Sequence, residues 1–104
     1  MTTDFNNPIT LKLAVQRGLL GNVSSNLAGV CAKLDGNRIV ISAYFFNDPA
    51  DEDRQYVEEA AAEVIGDFPE SYELETHYEL LSNVTLNTLE WNFLRAEAYT
   101  MKGL

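Results

Sequence analysis

Side chains that commonly carry out catalysis are scarce in this sequence. Cys31 and His77 are the only cysteine and the only histidine among 104 residues. A thiol next to an imidazole can act as a nucleophile with its general base. Single residues of these types are far more often a packed thiol and a solvated imidazole. The sequence therefore gives no support for cysteine–histidine catalysis.

Metal and nucleotide sites also lack their usual residues. One cysteine excludes an internal disulfide and a cysteine-based zinc cluster, and His77 would need several carboxylates to complete a metal site. Gly18-Leu19-Leu20-Gly21 lacks the lysine and the preceding strand of a phosphate-binding loop. We predict no metal, no cofactor and no small-molecule substrate.

Carboxylates are the most abundant chemical groups. Asp and Glu number 16 against 7 Lys and Arg, which gives a net charge of −9. A catalytic carboxylate pair needs one apolar and one polar environment, whereas the acidic residues here fall in polar stretches. The sequence thus predicts a binding protein and not an enzyme. Its negative field repels nucleic acid and anionic membranes and favours a partner with a basic surface.

The acidic residues form two groups that could bind such a partner. On a helix over residues 50–66, Glu52, Glu59, Glu63 and Asp67 share one stripe without Lys or Arg. Like charges four residues apart disfavour an isolated helix by roughly 0.2 to 0.5 kcal/mol per pair. The predicted partner-binding residues are those of this helix with its preceding loop and of the following strand: Asp48, Asp51, Glu52, Glu59, Glu63, Glu73, Glu75 and Glu79. We favour the helix, while the alternative for both groups is a solvated surface that provides solubility.

The first half of the chain predicts a helix and a hairpin. Asn7-Pro8 is typical of a helix start, apolar residues follow at helical spacing to about Leu20, and Gly21 suits a left-handed C-terminal cap. Strands over residues 27–34 and 38–46 flank Asp35-Gly36-Asn37, which is a strong signal for a tight hairpin turn.

The second half predicts a helix followed by two strands. Asp48-Pro49 marks a second capped helix start, with the helix from about Ala50 to Gly66. Residues 72–80 alternate strictly between two faces, as in a half-exposed strand: Tyr72, Leu74, Thr76, Tyr78 and Leu80 on one, and Glu73, Glu75, His77 and Glu79 on the other. Residues 89–96 predict a last strand, on which Trp91 and Phe93 share the buried face.

These elements predict a single acidic α+β domain over residues 1–104, with residues 1–7 as a flexible N-terminus. The order αββαββ favours a two-layer sandwich in which two helices cover one face of a mostly antiparallel four-stranded sheet. The strand order does not follow from the sequence. Without a signal peptide or a membrane-spanning segment, the expected location is cytoplasmic.

Several runs of sequence are similar to a known group of bacterial proteins. They are residues 13–23, Asn26-Leu27, Asp35-Gly36-Asn37, residues 43–46, Asp51-Glu52-Asp53 and residues 61–69. In these runs the chain resembles the immunity proteins of contact-dependent growth inhibition and related polymorphic toxin systems. The resemblance covers about residues 11 to 97.

This resemblance implies that the chain binds and neutralises a cognate toxin domain, often a nuclease, in the cytoplasm of the bacterium that produces both. It transfers no catalytic residue and no toxin-binding residue by position, so the candidate residues above rest on charge. The alternative function is that of a small acidic interaction or adaptor protein without a toxin partner.

Overall fold

The computed structural model describes residues 4–5, 7–84, 89 and 91–95. In chain order its elements are α1 (Pro8–Leu19), β1 (Leu27–Asp35), β2 (Arg38–Phe45), α2 (Asp51–Gly66), β3 (Glu73–Leu80), a 3-10 turn (Leu81–Asn83) and β4 (Phe93–Leu94). This confirms the predicted α+β class and the order αββαββ.

Helix α1 begins and ends where the sequence indicates. The Asn7 side chain accepts a hydrogen bond from the Ile9 amide at 3.0 Å, and Pro8 occupies the first helical position. Proline fits there because its missing N–H has no partner within the helix. The chain then leaves the helix through Gly21, whose φ of 78° suits a residue without a β-carbon.

The β1–β2 hairpin closes as predicted. Asp35 pairs with Arg38, which leaves Gly36 and Asn37 as a two-residue turn. Gly36 has a φ of 61° and Asn37 does not have a positive φ, as in the type II′ turns that suit the twist of a hairpin.

The four strands form one mixed sheet in the order β3-β2-β1-β4. β1 is antiparallel to both β2 and β4, whereas β2 and β3 are parallel. The parallel pair follows from α2, because a helix between two neighbouring strands returns the chain to the end from which it started. Two of the three pairings are therefore antiparallel, in agreement with the prediction.

Both helices pack on the same face of the sheet. They approach each other closely at Gly18, where an added β-carbon would lie 2.7 Å from the Ala60 carbonyl oxygen. Glycine at this position thus allows the backbones of α1 and α2 to approach. The largest fully buried side chains are Phe45, Leu27, Ile39, Leu81, Val15 and Val64. Phe5 adds an aromatic contact to Phe68, with ring centroids 5.3 Å apart.

The last strand is shorter than the sequence predicts. Only Phe93 and Leu94 pair with β1, opposite Val30 and Gly29, and part of the predicted strand lies outside the described residues. The prediction that Trp91 and Phe93 share a face is wrong. Phe93 contacts the core beneath the helices, whereas Trp91 packs on the opposite sheet face. The alternation of side chains between the two sheet faces does not extend to Trp91, because Trp91 precedes the two residues of β4 that pair with β1.

Neither helix in the described part of the chain has the length and apolar character that a membrane span requires.

Candidate partner-binding site

The exposed side of α2 carries carboxylates without basic neighbours. Glu52, Glu59 and Glu63 are all exposed, and none of them joins a salt bridge within the described residues. The Glu59 carboxylate accepts a hydrogen bond from Gln55 at 3.3 Å, and a shallow depression of about 230 Å³ lies between Glu52, Gln55, Tyr56 and Glu59. We name Glu52, Glu59 and Glu63 the helix carboxylates.

Asp67 does not belong with the helix carboxylates. The Arg17 guanidinium donates to its carboxylate at 2.8 Å from the neighbouring helix. Both side chains are largely exposed, so the pair adds little stability, but it neutralises the charge locally. The stripe predicted from the sequence of α2 is therefore shorter in the structure, because its last charge is compensated from α1.

The start of α2 differs from the prediction. Asp48 does not cap the helix, which begins at Asp51 with Ala50 as its N-cap residue. The cap comes instead from Asp53 within the first turn, whose carboxylate accepts from the Ala50 backbone amide at 2.9 Å and from the Asn26 side-chain amide at 3.2 Å. This arrangement leaves Asp48 and Asp51 exposed beside the helix N-terminus.

The loop before α2 is held to the loop before β1 by a pair of asparagines. The Asn26 side chain accepts from the Asn47 amide and donates to the Asn47 carbonyl, each at 2.9 Å. The same side chain contacts Asp53, so one residue fixes both loops. The acidic loop is thus positioned by hydrogen bonds on its inner side, with its carboxylates outward.

Asp53 provides a test of this positioning. Partial burial raises its pKa, but the hydrogen bonds from the Ala50 backbone amide and the Asn26 side chain contribute to a larger opposite effect, and the net pKa is lowered. A lowered folded-state pKa stabilises the fold above the unfolded-state value, about 3.9, and this stabilisation is lost as pH falls through the folded-state value.

We predict that Asp53→Asn lowers the free energy of unfolding by about 1 kcal/mol at pH 7, as loss of a helix cap does. Urea unfolding followed by circular dichroism should show the difference between variant and wild type narrowing below about pH 4, where the wild-type carboxylate becomes protonated. Asp51→Asn, in the same turn but exposed, should have a smaller effect. An equal effect of both substitutions, or a difference that persists at about pH 2, would contradict the role of Asp53.

The strand group consists of Glu73, Glu75 and Glu79, and basic side chains neutralise most of its negative charge. Arg38 lies 4.0 Å from the Glu73 carboxylate and 3.8 Å from that of Glu75, and His77 is 2.8 Å from Glu75. The hydrogen bond from His77, assisted by the charges of His77, Arg38 and Lys33, lowers the pKa of Glu75. Glu79 alone in this group joins no ion pair within the described residues.

The two predicted groups do not form one site. α2 covers one face of the sheet, and Glu73, Glu75 and Glu79 alternate with the strand residues that face α2, so they point away from it. A partner on the helix carboxylates would therefore approach from the opposite side to a partner on β3.

Glu58 is a residue that the charge stripe does not include. Its carboxylate accepts hydrogen bonds from the Tyr78 hydroxyl and, at 3.4 Å, from the Thr76 hydroxyl, and so joins α2 to β3. Burial and the Glu58 carboxylate raise the pKa of Tyr78 to about 12. The signal in the sequence is its position at the border of the apolar face, next to Val57 and Ala61.

Cys31 and His77 lie on the same sheet face without forming a pair. Cys31 is opposite Ser42, and Ser42 is in turn opposite His77, so β2 separates the two side chains. Burial raises the pKa of Cys31 to about 11, which keeps the thiol protonated at neutral pH. No group of three or more His, Cys, Asp or Glu side chains suited to a metal occurs among the described residues.

The structure is that of a small acidic α+β protein, with two helices on one face of a mixed sheet. Basic side chains neutralise most of the charge on β3, whereas within the described residues the helix carboxylates of α2 have no basic partner. The chain belongs to the MafI2 immunity protein family, whose model matches residues 8–97. This confirms the resemblance to immunity proteins of toxin systems. Comparison with curated proteins finds no match.

Proposed function

We propose that this chain protects the bacterium that makes it by binding one cognate toxin domain in the cytoplasm. Membership of an immunity protein family supports a toxin partner. We further propose that the toxin is a nuclease delivered by contact-dependent growth inhibition. A nuclease needs a basic surface to bind its polyanionic substrate, and a protein with a net charge of −9 is complementary to such a surface.

The observation that carries the proposal is the absence of any basic partner for the helix carboxylates within the described residues. α2 has 16 residues, so its exposed side is about 24 Å long. That length spans much of a standard protein interface, which buries about 800 Å² on each partner. The toxin would dock along α2 with Asp48 and Asp51 at one end.

Binding of this kind inhibits by occlusion. Carboxylates on α2 would occupy basic positions that the toxin otherwise uses for nucleic acid, so substrate and inhibitor compete for one surface. No covalent step is required, and one immunity protein neutralises one toxin domain.

The proposal is tested by co-expression with the toxin domain encoded next to this chain. We expect growth to be restored by this chain and not by an immunity protein from an unrelated toxin pair. The purified toxin should degrade nucleic acid, and an equimolar amount of this chain should stop the degradation. Growth arrest that persists despite soluble, folded protein would overturn the proposed function and favour an interaction protein without a toxin partner.

A further inference from the structure

A line of large apolar side chains on α1 is exposed. Ile9, Leu13 and Leu20 have 61%, 52% and 76% of their surface exposed. With 3.6 residues per turn, these three positions fall within about 40° of one another around the helix axis. They lie on the side opposite Gly18, which is buried against α2. We name Ile9, Leu13 and Leu20 the α1 ridge.

The α1 ridge is a local feature of the surface. Within the described residues, the other large apolar side chain with substantial exposure is Val23, in the segment that follows α1. The exposed side of α2 carries none. Apolar residues scattered singly over a surface need no explanation, whereas several grouped on one element mark an interaction site.

The α1 ridge runs alongside α2, because the two helices are antiparallel. Phe5, before α1, packs against Phe68, after α2, with ring centroids 5.3 Å apart. At the other end, the Asn26 side chain beyond α1 donates to Asp53 in the first turn of α2. Both helices lie on one face of the sheet, so their exposed sides are turned in the same direction.

The carboxylates of α2 lie on the side of that helix nearest to α1. Glu59, Glu63 and Asp67 are four residues apart and therefore share one row of the helix. Arg17 of α1 reaches the last member of this row, with its guanidinium 2.8 Å from the Asp67 carboxylate. The α1 ridge and the helix carboxylates are thus neighbouring parts of one surface, and a partner that covers one also approaches the other.

We propose that the cognate toxin domain places an apolar patch on the α1 ridge while its basic surface contacts the helix carboxylates. Protein interfaces combine an apolar centre with polar and charged surroundings, and α2 by itself offers no exposed large apolar side chain for such a centre. This inference rests on the proposed function and adds to it the apolar contact that the charges do not provide.

Charge assigns the α1 ridge to a basic partner and not to a second copy of the chain. In a two-fold dimer both copies contribute the same surface. The helix carboxylates of both copies would then meet at one interface, between molecules that each carry a net charge of −9. A basic toxin meets the same carboxylates with the opposite charge.

The two parts of the surface should act on different rate constants. Exposed charges act over a distance and raise the rate of association. Apolar contacts form only after the two molecules have met, so they mainly slow dissociation. A substitution in the α1 ridge that leaves the charge unchanged should therefore be distinguishable from charge reversal at Glu59 and Glu63.

Leu13→Gln/Leu20→Gln should make the complex with the cognate toxin domain dissociate roughly tenfold faster, while the association rate and its salt dependence stay close to those of wild type. Surface plasmon resonance measures both rates. The matched control is Leu13→Met/Leu20→Met, because Met and Gln are both unbranched and have similar helix propensities, but only Met is apolar. This control should dissociate within about threefold of the wild-type rate.

Two measurements on the free protein test the other possible occupants of the α1 ridge. The wild type should sediment as a monomer, and a dimer that the glutamine substitutions dissociate would assign the ridge to a second copy and overturn the proposal. The glutamine variant should unfold at the wild-type urea midpoint, because exposed positions tolerate such changes. A clearly lower midpoint would show that the chain itself covers the ridge, and this result would also overturn the proposal.

Failure of this inference can be distinguished from failure of the proposed function. If the glutamine variant dissociates from the toxin as slowly as wild type, the α1 ridge is unused, while the toxin-neutralising function stands. A wild-type protein that does not bind the toxin at all overturns the proposed function and this inference with it.

Discussion

Trp91→Ala should lower the free energy of unfolding by about 3 kcal/mol, near the lower end of the range for truncating a core aromatic. The indole ring packs edge-on against Tyr44, with ring centroids 5.1 Å apart. It also covers Gly29, where a β-carbon would lie 2.6 Å from the Trp91 ring. The substitution removes this cover from the sheet face opposite the helices, and urea unfolding followed by circular dichroism measures the effect.

Two further variants separate packing from other roles of Trp91. Trp91→Phe keeps an aromatic ring and should retain more than half of the lost stability, whereas Gly29→Ala should destabilise because its methyl group displaces the indole. If Trp91→Ala is as stable as wild type but no longer binds the toxin, Trp91 is an interface anchor and not a packing residue.

Glu59→Lys/Glu63→Lys should slow association with the toxin domain roughly tenfold at low ionic strength, because complementary charge raises the rate of encounter. Added salt should reduce the difference, since it screens exposed charges over about 10 Å at 0.1 M. The fold should be retained or slightly stabilised, because Lys at position 63 attracts Asp67 where Glu63 repelled it, and a positive charge suits the C-terminal part of the helix. Stopped-flow measurements at two salt concentrations show both effects.

Glu73→Lys/Glu75→Lys is the matched control, because it changes the net charge by the same amount on the opposite sheet face. A partner on α2 should associate with this variant faster than with the helix variant. If the strand variant alone is slow, the toxin binds β3. Equal slowing of both variants would mean that net charge, and not the α2 surface, guides association.

Most of the elements follow from local chemistry in the sequence. The Asn7-Pro8 start of α1, the turn at Gly36 and the alternation in β3 each depend on a few neighbouring residues, and all three are confirmed. The strand order could not be predicted, because it depends on how α2 returns the chain to the sheet. The sequence predicts a longer β4 than the structure has. Alternating side chains indicate which residues could form a strand, but a residue joins the sheet only where a neighbouring strand lies in register with it.

The candidate site was predicted less completely, for a related reason. Charge along one helix identifies Glu59 and Glu63, but it does not reveal that Arg17 reaches Asp67 from α1 or that Arg38 pairs with Glu73 and Glu75. These compensations involve residues far apart in sequence.

The parallel pairing of β2 with β3 imposes an order on folding. The β1–β2 hairpin is local and can form within about 1–10 μs, whereas β3 can pair only after α2 has bridged the sheet. Asn37 in the hairpin turn then receives β3: its carbonyl accepts from the Glu73 amide at 2.8 Å and its side chain donates to the Ser71 carbonyl at 2.6 Å. Until that step the edge of β2 is open to other chains, so we expect a newly synthesised molecule to be prone to aggregation before Asn37 is engaged.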